Sequence, residues 1–234
     1  MNLPMVRPFF RQAGIAALAS LAVSLVAGPA RAAEDFSPAE QAIFMADQLR
    51  NVKPPATLRY TFQKTGSLEP GFQDSVAVAL KPRPDGRCCT ASGDFLTGER
   101  KLRLPDVEDA KGNPVVLYFL ERDIREMHRL AKGPENYFRK RIRMAIYQGA
   151  TVKPATFRYK GRDVAGQEIA ISPYLDDPNR ARFEKFATRE YRFLLSDAVP
   201  GGVYGIRSVV PGAAGAPSLV GEEMLIDGAE PAKP

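Results

Sequence analysis

The sequence predicts an α+β protein: a curved antiparallel sheet with an N-terminal helix and a mid-chain helical hairpin packed on one face. Three patterns carry this reading. A capped helix start stands at Ser37-Pro38-Ala39-Glu40, apolar residues alternate with polar ones from Thr57 and again through the last third, and two helical runs meet at Gly133-Pro134.

Taken in order, Ser37 and Glu40 form a capping box with Pro38 at the first helical position. Ile43, Phe44, Ala46 and Leu49 follow at near-helical spacing, so a helix is expected over 38–50, stopped by Pro54-Pro55. Leu58, Tyr60 and Phe62 then alternate with polar residues over 57–64, and Val76, Val78 and Leu80 repeat the period after a loop through Pro70-Gly71. These read as an antiparallel pair. A short strand is expected over 100–104. Asn113 and Pro114 open a helix in which Leu117, Leu120, Ile124, Met127 and Ala131 fall near one face, unless 115–120 is a strand before a shorter helix. The second helix of the hairpin runs to about Gln148, with Phe138, Ile142, Ala145 and Ile146 on one side. Strands are expected over 156–160, 167–171, 189–195, 203–210 and 219–226, with a short helix after Asp177-Pro178.

One stretch recurs. Residues 52–60 (VKPPATLRY) match 152–159 (VKPATFRY) with one deletion. An ancient helix–strand–strand duplication and the repeated chemistry of a helix-to-strand corner both account for it.

The first 33 residues have the build of an export signal. Arg7 and Arg11 precede an uncharged run from Ala13 to Gly28, and Ala30-Arg31-Ala32 is a small-x-small cleavage site ahead of Glu34 and Asp35. The run is shorter than the roughly 20 residues a bilayer span needs. The sequence therefore predicts a cleaved signal over 1–33, a single α+β domain over 34–227 and a flexible tail over 228–234, located in the periplasm of a Gram-negative cell. Without the signal's three arginines the formal charge falls from +6 to +3.

Sites for chemistry are sparse. His128 is the sole histidine, and no G-x-S-x-G elbow accompanies it. Neither C-x-x-C nor H-E-x-x-H spacing occurs, and there is no G-x-G-x-x-G or Walker sequence. No catalytic residue, metal or cofactor is expected, nor a nucleic-acid partner. The absence of Trp weakens a carbohydrate-binding reading. Adjacent Cys88 and Cys89 are redox candidates. In an oxidising compartment they read as a vicinal disulfide, an intermolecular bridge or two plain residues at a strand end. Between Pro114 and Gln148 eight basic residues face four acids, and Arg122, Arg125, Arg129, Arg139, Lys140 and Arg143 form a candidate basic surface for an anionic lipid or an acidic protein. Weak i,i+4 pairs on a solvated helix face account for the same pattern.

An exported chain of this size, with a capped N-terminal helix, long strands and helices inserted mid-chain, resembles the periplasmic lipoprotein carriers of the LolA and LolB kind in element order, without signature residues. That resemblance implies a half-open barrel sheltering acyl chains, with the helices as a lid. The expectation is thus a non-enzymatic protein holding an apolar or amphipathic ligand between sheet and helices, lined by Tyr60, Phe62, Val76, Val78, Ile124, Met127, Phe138 and Ile142. The alternatives are a thiol-redox protein acting through Cys88 and Cys89, and an interaction protein docking by its basic hairpin.

Overall fold

Nine antiparallel strands form one open sheet, described here from a computed structural model covering residues 36–85 and 88–231. The expected signal lies outside the described residues. Along the sheet the order is β4 (Leu102–Arg103), β3 (Thr90–Phe95), β2 (Phe72–Lys81), β1 (Ala56–Thr65), β9 (Val220–Ile226), β8 (Val203–Val210), β7 (Glu190–Leu195), β6 (Arg162–Ile171) and β5 (Thr151–Tyr159). Helices α2 (Val115–Ala131) and α3 (Glu135–Gln148) form the expected hairpin.

Strict alternation decides which face is covered. On β1, Leu58, Tyr60, Phe62 and Lys64 are buried while Thr57, Arg59, Thr61 and Gln63 are exposed. Phe62 meets Phe95 edge-on at 5.8 Å and Phe119 of α2 at 6.4 Å, so the aromatic core joins three elements. Strand β3, which the sequence does not announce, is built of small and polar residues. A Cβ on Gly93 would sit 2.8 Å from the Tyr118 ring, so the lack of a side chain lets α2 approach the sheet.

The sheet curls at its far end. Lys160 and Gly161, both at positive φ, make a tight turn between β5 and β6, and the chain leaving β9 meets β5 through a Tyr159–Ala229 bridge. Phe157 stacks on Tyr204 at 4.6 Å, and the Tyr204 hydroxyl donates to Arg158 O at 2.8 Å. The tail is therefore tied at its start, with Glu230 N donating to Arg158 O at 3.1 Å; residues 232–234 lie outside the described residues. The 52–60 and 152–159 stretches do not occupy matching places: β1 is interior to the sheet, whereas Pro154 lies in edge strand β5, where a missing N–H costs no ladder bond.

The N-terminal helix is shorter than the sequence suggests. The Ser37–Glu40 capping box forms as expected and starts α1 (Pro38–Glu40), but the chain widens to a π turn over Gln41–Met45, breaks at Ala46, and resumes as a 3-10 turn over Gln48–Asn51. Gln48 explains the break. Its buried side chain donates to Ala42 O at 2.9 Å and accepts from Asn113 N at 2.8 Å, satisfying groups at the start of α2 that a continuous helix would leave unserved. Asn113 in turn accepts from Val115 N and donates to the Tyr60 hydroxyl at 2.7 Å, which pins the helix start to β1.

Candidate functional site

Helix α2 is apolar on two sides, and this creates the site. Val116, Phe119 and Met127 press on the sheet and are at most 1% exposed. Leu117, Leu120 and Ile124, at i, i+3 and i+7, turn the other way and meet Ile142 and Ile146 of α3. Phe36, Phe44 and Met45 at the N-terminal turns, with Leu104–Val107 after β4, supply the remaining walls of an open groove of about 780 Å³. Each wall is fastened. Ser37 Oγ donates to Ile146 O at 3.3 Å, and Val107 exchanges a pair of 2.8 Å backbone bonds with Ala91 of β3.

The floor is buried, but the lip is not. Phe36, Met45 and Leu117 are 41%, 54% and 52% exposed, and their grouping around one groove makes an apolar patch of the kind that marks a binding surface. Charge is confined to the rim. Glu121 accepts from Arg139 at 2.9 and 3.1 Å and stands 3.6 Å from Arg125, so one carboxylate serves two guanidinium groups. Arg143, also on the rim, is exposed. Burial, with Asp106 adding to it, pushes the Tyr118 hydroxyl up, so this wall residue is a neutral phenol at physiological pH. Among the described residues, no serine, threonine, cysteine, histidine or lysine lines the groove.

The expected lining residues divide accordingly. Ile124 and Ile142 line the groove. Tyr60, Phe62, Val76, Val78, Met127 and Phe138 are at most 1% exposed and form the core between sheet and hairpin. Tyr60 accepts from Asn113, and Phe138 packs on Tyr174 at 5.8 Å and on Phe183 at 5.6 Å. The groove lies on the outer side of the hairpin rather than between it and the sheet.

A buried polar belt explains why the hairpin does not stand off. Tyr191, Ser208, Glu222 and Lys64 are register partners across β7, β8, β9 and β1, all on the covered face. Helix α2 lowers Arg122, Asp123 and Glu126 onto this row. Arg189, wholly buried, pairs with Asp123 and with Glu222 at 3.2 Å; Arg122 pairs with the other oxygen of Glu222; and the Tyr191 hydroxyl donates to Asp123. Two cations thus face two carboxylates. Alongside, Lys64 holds Glu126 at 2.7 Å and Glu69 at 2.8 Å, and Arg129 reaches the same two acids at 2.8 and 2.7 Å. Burial pushes the Asp123 carboxyl up against the pull of Arg189, whereas at Glu126 the hydrogen bonds from Arg129 and Lys64 outweigh burial and bring it down to about 2.

The expected basic surface is corrected by this belt. Arg122, 13% exposed at its side chain, turns inward to Glu222, because it neighbours Asp123 on the face that meets β9. Arg129 pairs with Glu69 and Glu126 while its side chain stays 50% exposed. Arg125, Arg139, Lys140 and Arg143 are exposed as well, so of the six only Arg122 leaves the surface. Cys88 and Cys89 are bonded to each other at the entrance to β3, with Cys89 buried and its carbonyl accepting from Ala110 N at 3.0 Å; neither lines the groove. Sequence reasoning missed Phe36, Met45 and the 104–107 wall. The available signal was the run Val115-Val116-Leu117-Tyr118-Phe119-Leu120, whose apolar arc is wider than one contact surface needs.

No family model matches the chain, and no curated protein matches it. Solved structures similar to it include the following two. The lipoprotein LppX of Mycobacterium tuberculosis has a TM-score of 0.32 and 8% identity, covering 77% of this chain and 90% of its own. A LolA superfamily protein from Nitrosomonas europaea has a TM-score of 0.20 and 10% identity, covering 84% of this chain and 94% of its own. At these scores the likeness says nothing about a ligand.

Proposed function

We propose that this chain is a binding protein for an apolar or amphipathic, lipid-like ligand, held in the groove outside the helical hairpin and carried outside the cytoplasm, as its first 33 residues suggest. The observation that carries the reading is the groove itself. Its volume of about 780 Å³ falls among sites for drug-sized ligands, roughly 300–1,000 Å³, and its lip leaves Phe36, Met45 and Leu117 about half exposed. Burial of those side chains against a ligand would supply the driving force. The lining, where a phenol, guanidinium groups and carboxylates border aliphatic walls, suits an amphipathic ligand.

The test is native mass spectrometry of the purified protein with a fluorescent fatty acid, compared with Leu117→Asn and Met45→Asn. Fully burying a Leu or Met is worth about 1.5–3 kcal/mol, so the exposed half of each contributes ~1 kcal/mol, or about fivefold in affinity. A 1:1 complex weakened about fivefold by each variant is expected. No complex, or a complex indifferent to both substitutions, defeats the reading.

A further inference from the structure

We propose that the ligand of this groove carries an oxyanion head, a carboxylate or a phosphate, and that Arg143 receives it at the seam between α2 and α3. The inference rests on the groove reading above and adds the chemical class of the ligand and its orientation.

Four charged groups meet at the seam. Glu121 and Arg125 lie one turn apart on α2, and Arg139 and Arg143 one turn apart on α3, so all four side chains border the same groove. The acid is outnumbered: Glu121 accepts from Arg139 at 2.9 Å and stands 3.6 Å from Arg125, while Glu135 reaches only Arg139, at 3.9 Å. Arg143 is left with no hydrogen bond or ion pair among the described residues, although its neighbour Arg141 is tied to Asp177 at 2.7 Å.

A guanidinium at the edge of an apolar groove offers what an ionised amphiphile needs: paired donors for the head and aliphatic walls for the tail. The other acids of the rim belong to different elements. Glu40 sits on α1, where one oxygen accepts from Ser37 N at 2.9 Å, and Asp106 lies on the loop after β4. Both disfavour an anionic head on their own elements, which leaves the seam as its place and points the tail toward Phe36 and Met45. Polar rim and apolar trough together describe a site for an amphiphile with one charged end.

The experiment measures binding of four sixteen-carbon or comparable single-chain probes below their aggregation concentrations: hexadecanoate, a lysophosphatidate, hexadecanol and hexadecyltrimethylammonium. The full chain is compared with Arg143→Gln, Arg143→Lys and Leu117→Asn, each checked for folding by circular dichroism. We expect the two anions to bind about tenfold more tightly than hexadecanol, the factor one charge-assisted hydrogen bond supplies. Arg143→Gln should remove that advantage and leave hexadecanol unchanged, Arg143→Lys should restore most of it, and added salt should shrink it. Leu117→Asn should weaken every probe that binds. The relative strength of hexadecanoate and lysophosphatidate identifies which oxyanion the seam prefers. Hexadecanol or the ammonium probe binding as tightly as the anions, or anion affinity indifferent to Arg143→Gln, overturns the oxyanion head while leaving the groove reading intact. Failure of all four probes overturns both.

Discussion

Replacing Arg189 with Met probes what fixes the hairpin to the sheet. The side chain is wholly buried between two carboxylates, Asp123 at 0% and Glu222 at 2% exposure, and Met keeps much of its volume while removing the charge. Asp123 would then retain only the Tyr191 hydroxyl, and Glu222 only Arg122. Stripping one partner from a buried pair costs about 3–5 kcal/mol, because the remaining charge is left without compensation. Against the ~5–15 kcal/mol stability of an ordinary domain this is a large fraction. Urea unfolding followed by circular dichroism reads it directly, since the chain has no tryptophan to report by fluorescence. The double variant Arg189→Met, Asp123→Leu should recover most of the loss, as apolar replacements of buried pairs commonly do. A loss below about 1 kcal/mol in the single variant, the figure for exposed pairs, would refute the belt as a buried clamp.

Two further outcomes follow from particular contacts. The Glu126 carboxyl is held at about 2 against its ordinary 4.5, so its pair contributes stability above pH 4.5 that is lost as pH falls toward 2; acid unfolding of Glu126→Gln should be correspondingly flatter in that window, and an unchanged profile would count against the pairing. At Gly166 an added Cβ would meet Leu195 O of β7 at 2.4 Å and the Phe157 ring of β5 at 2.5 Å; the carbonyl cannot move aside cheaply, so Gly166→Ala should cost about 1–3 kcal/mol, and a neutral result would mean that β6 and β7 can shift past one another.

Much of the framework was legible because period and burial coincide. Strands β1 and β2 read cleanly since their alternate residues do face core and water, and the hairpin read cleanly from its Gly133-Pro134 joint. Where the two signals part, reading fails. Strand β3 carries Gly93 because Tyr118 needs the space, and most residues of β5 are exposed, so neither shows a clear alternation. Helix α1 looked longer than it is, because Leu49 keeps helical spacing although the chain breaks at Ala46.

The site was harder still. Arg122 and Arg125 look alike on a helical wheel, and only the arrival of Glu222, far along the chain, turns the first inward. The apolar stripe of Leu117, Leu120 and Ile124 reads as core because a sequence shows that a face is apolar, not what covers it. Here α3 covers it only in part, and the groove is what remains.

Methyl NMR of the protein during titration with hexadecanoate locates the ligand. Methyl signals of Leu117, Leu120, Ile124, Ile142 and Ile146 should shift and saturate at one equivalent, while those of Val76, Val78 and Ile206, buried on the sheet side of α2, stay in place. Shifts concentrated in Val76, Val78 and Ile206, with the groove methyls unmoved, would place the ligand between sheet and hairpin and contradict the groove reading.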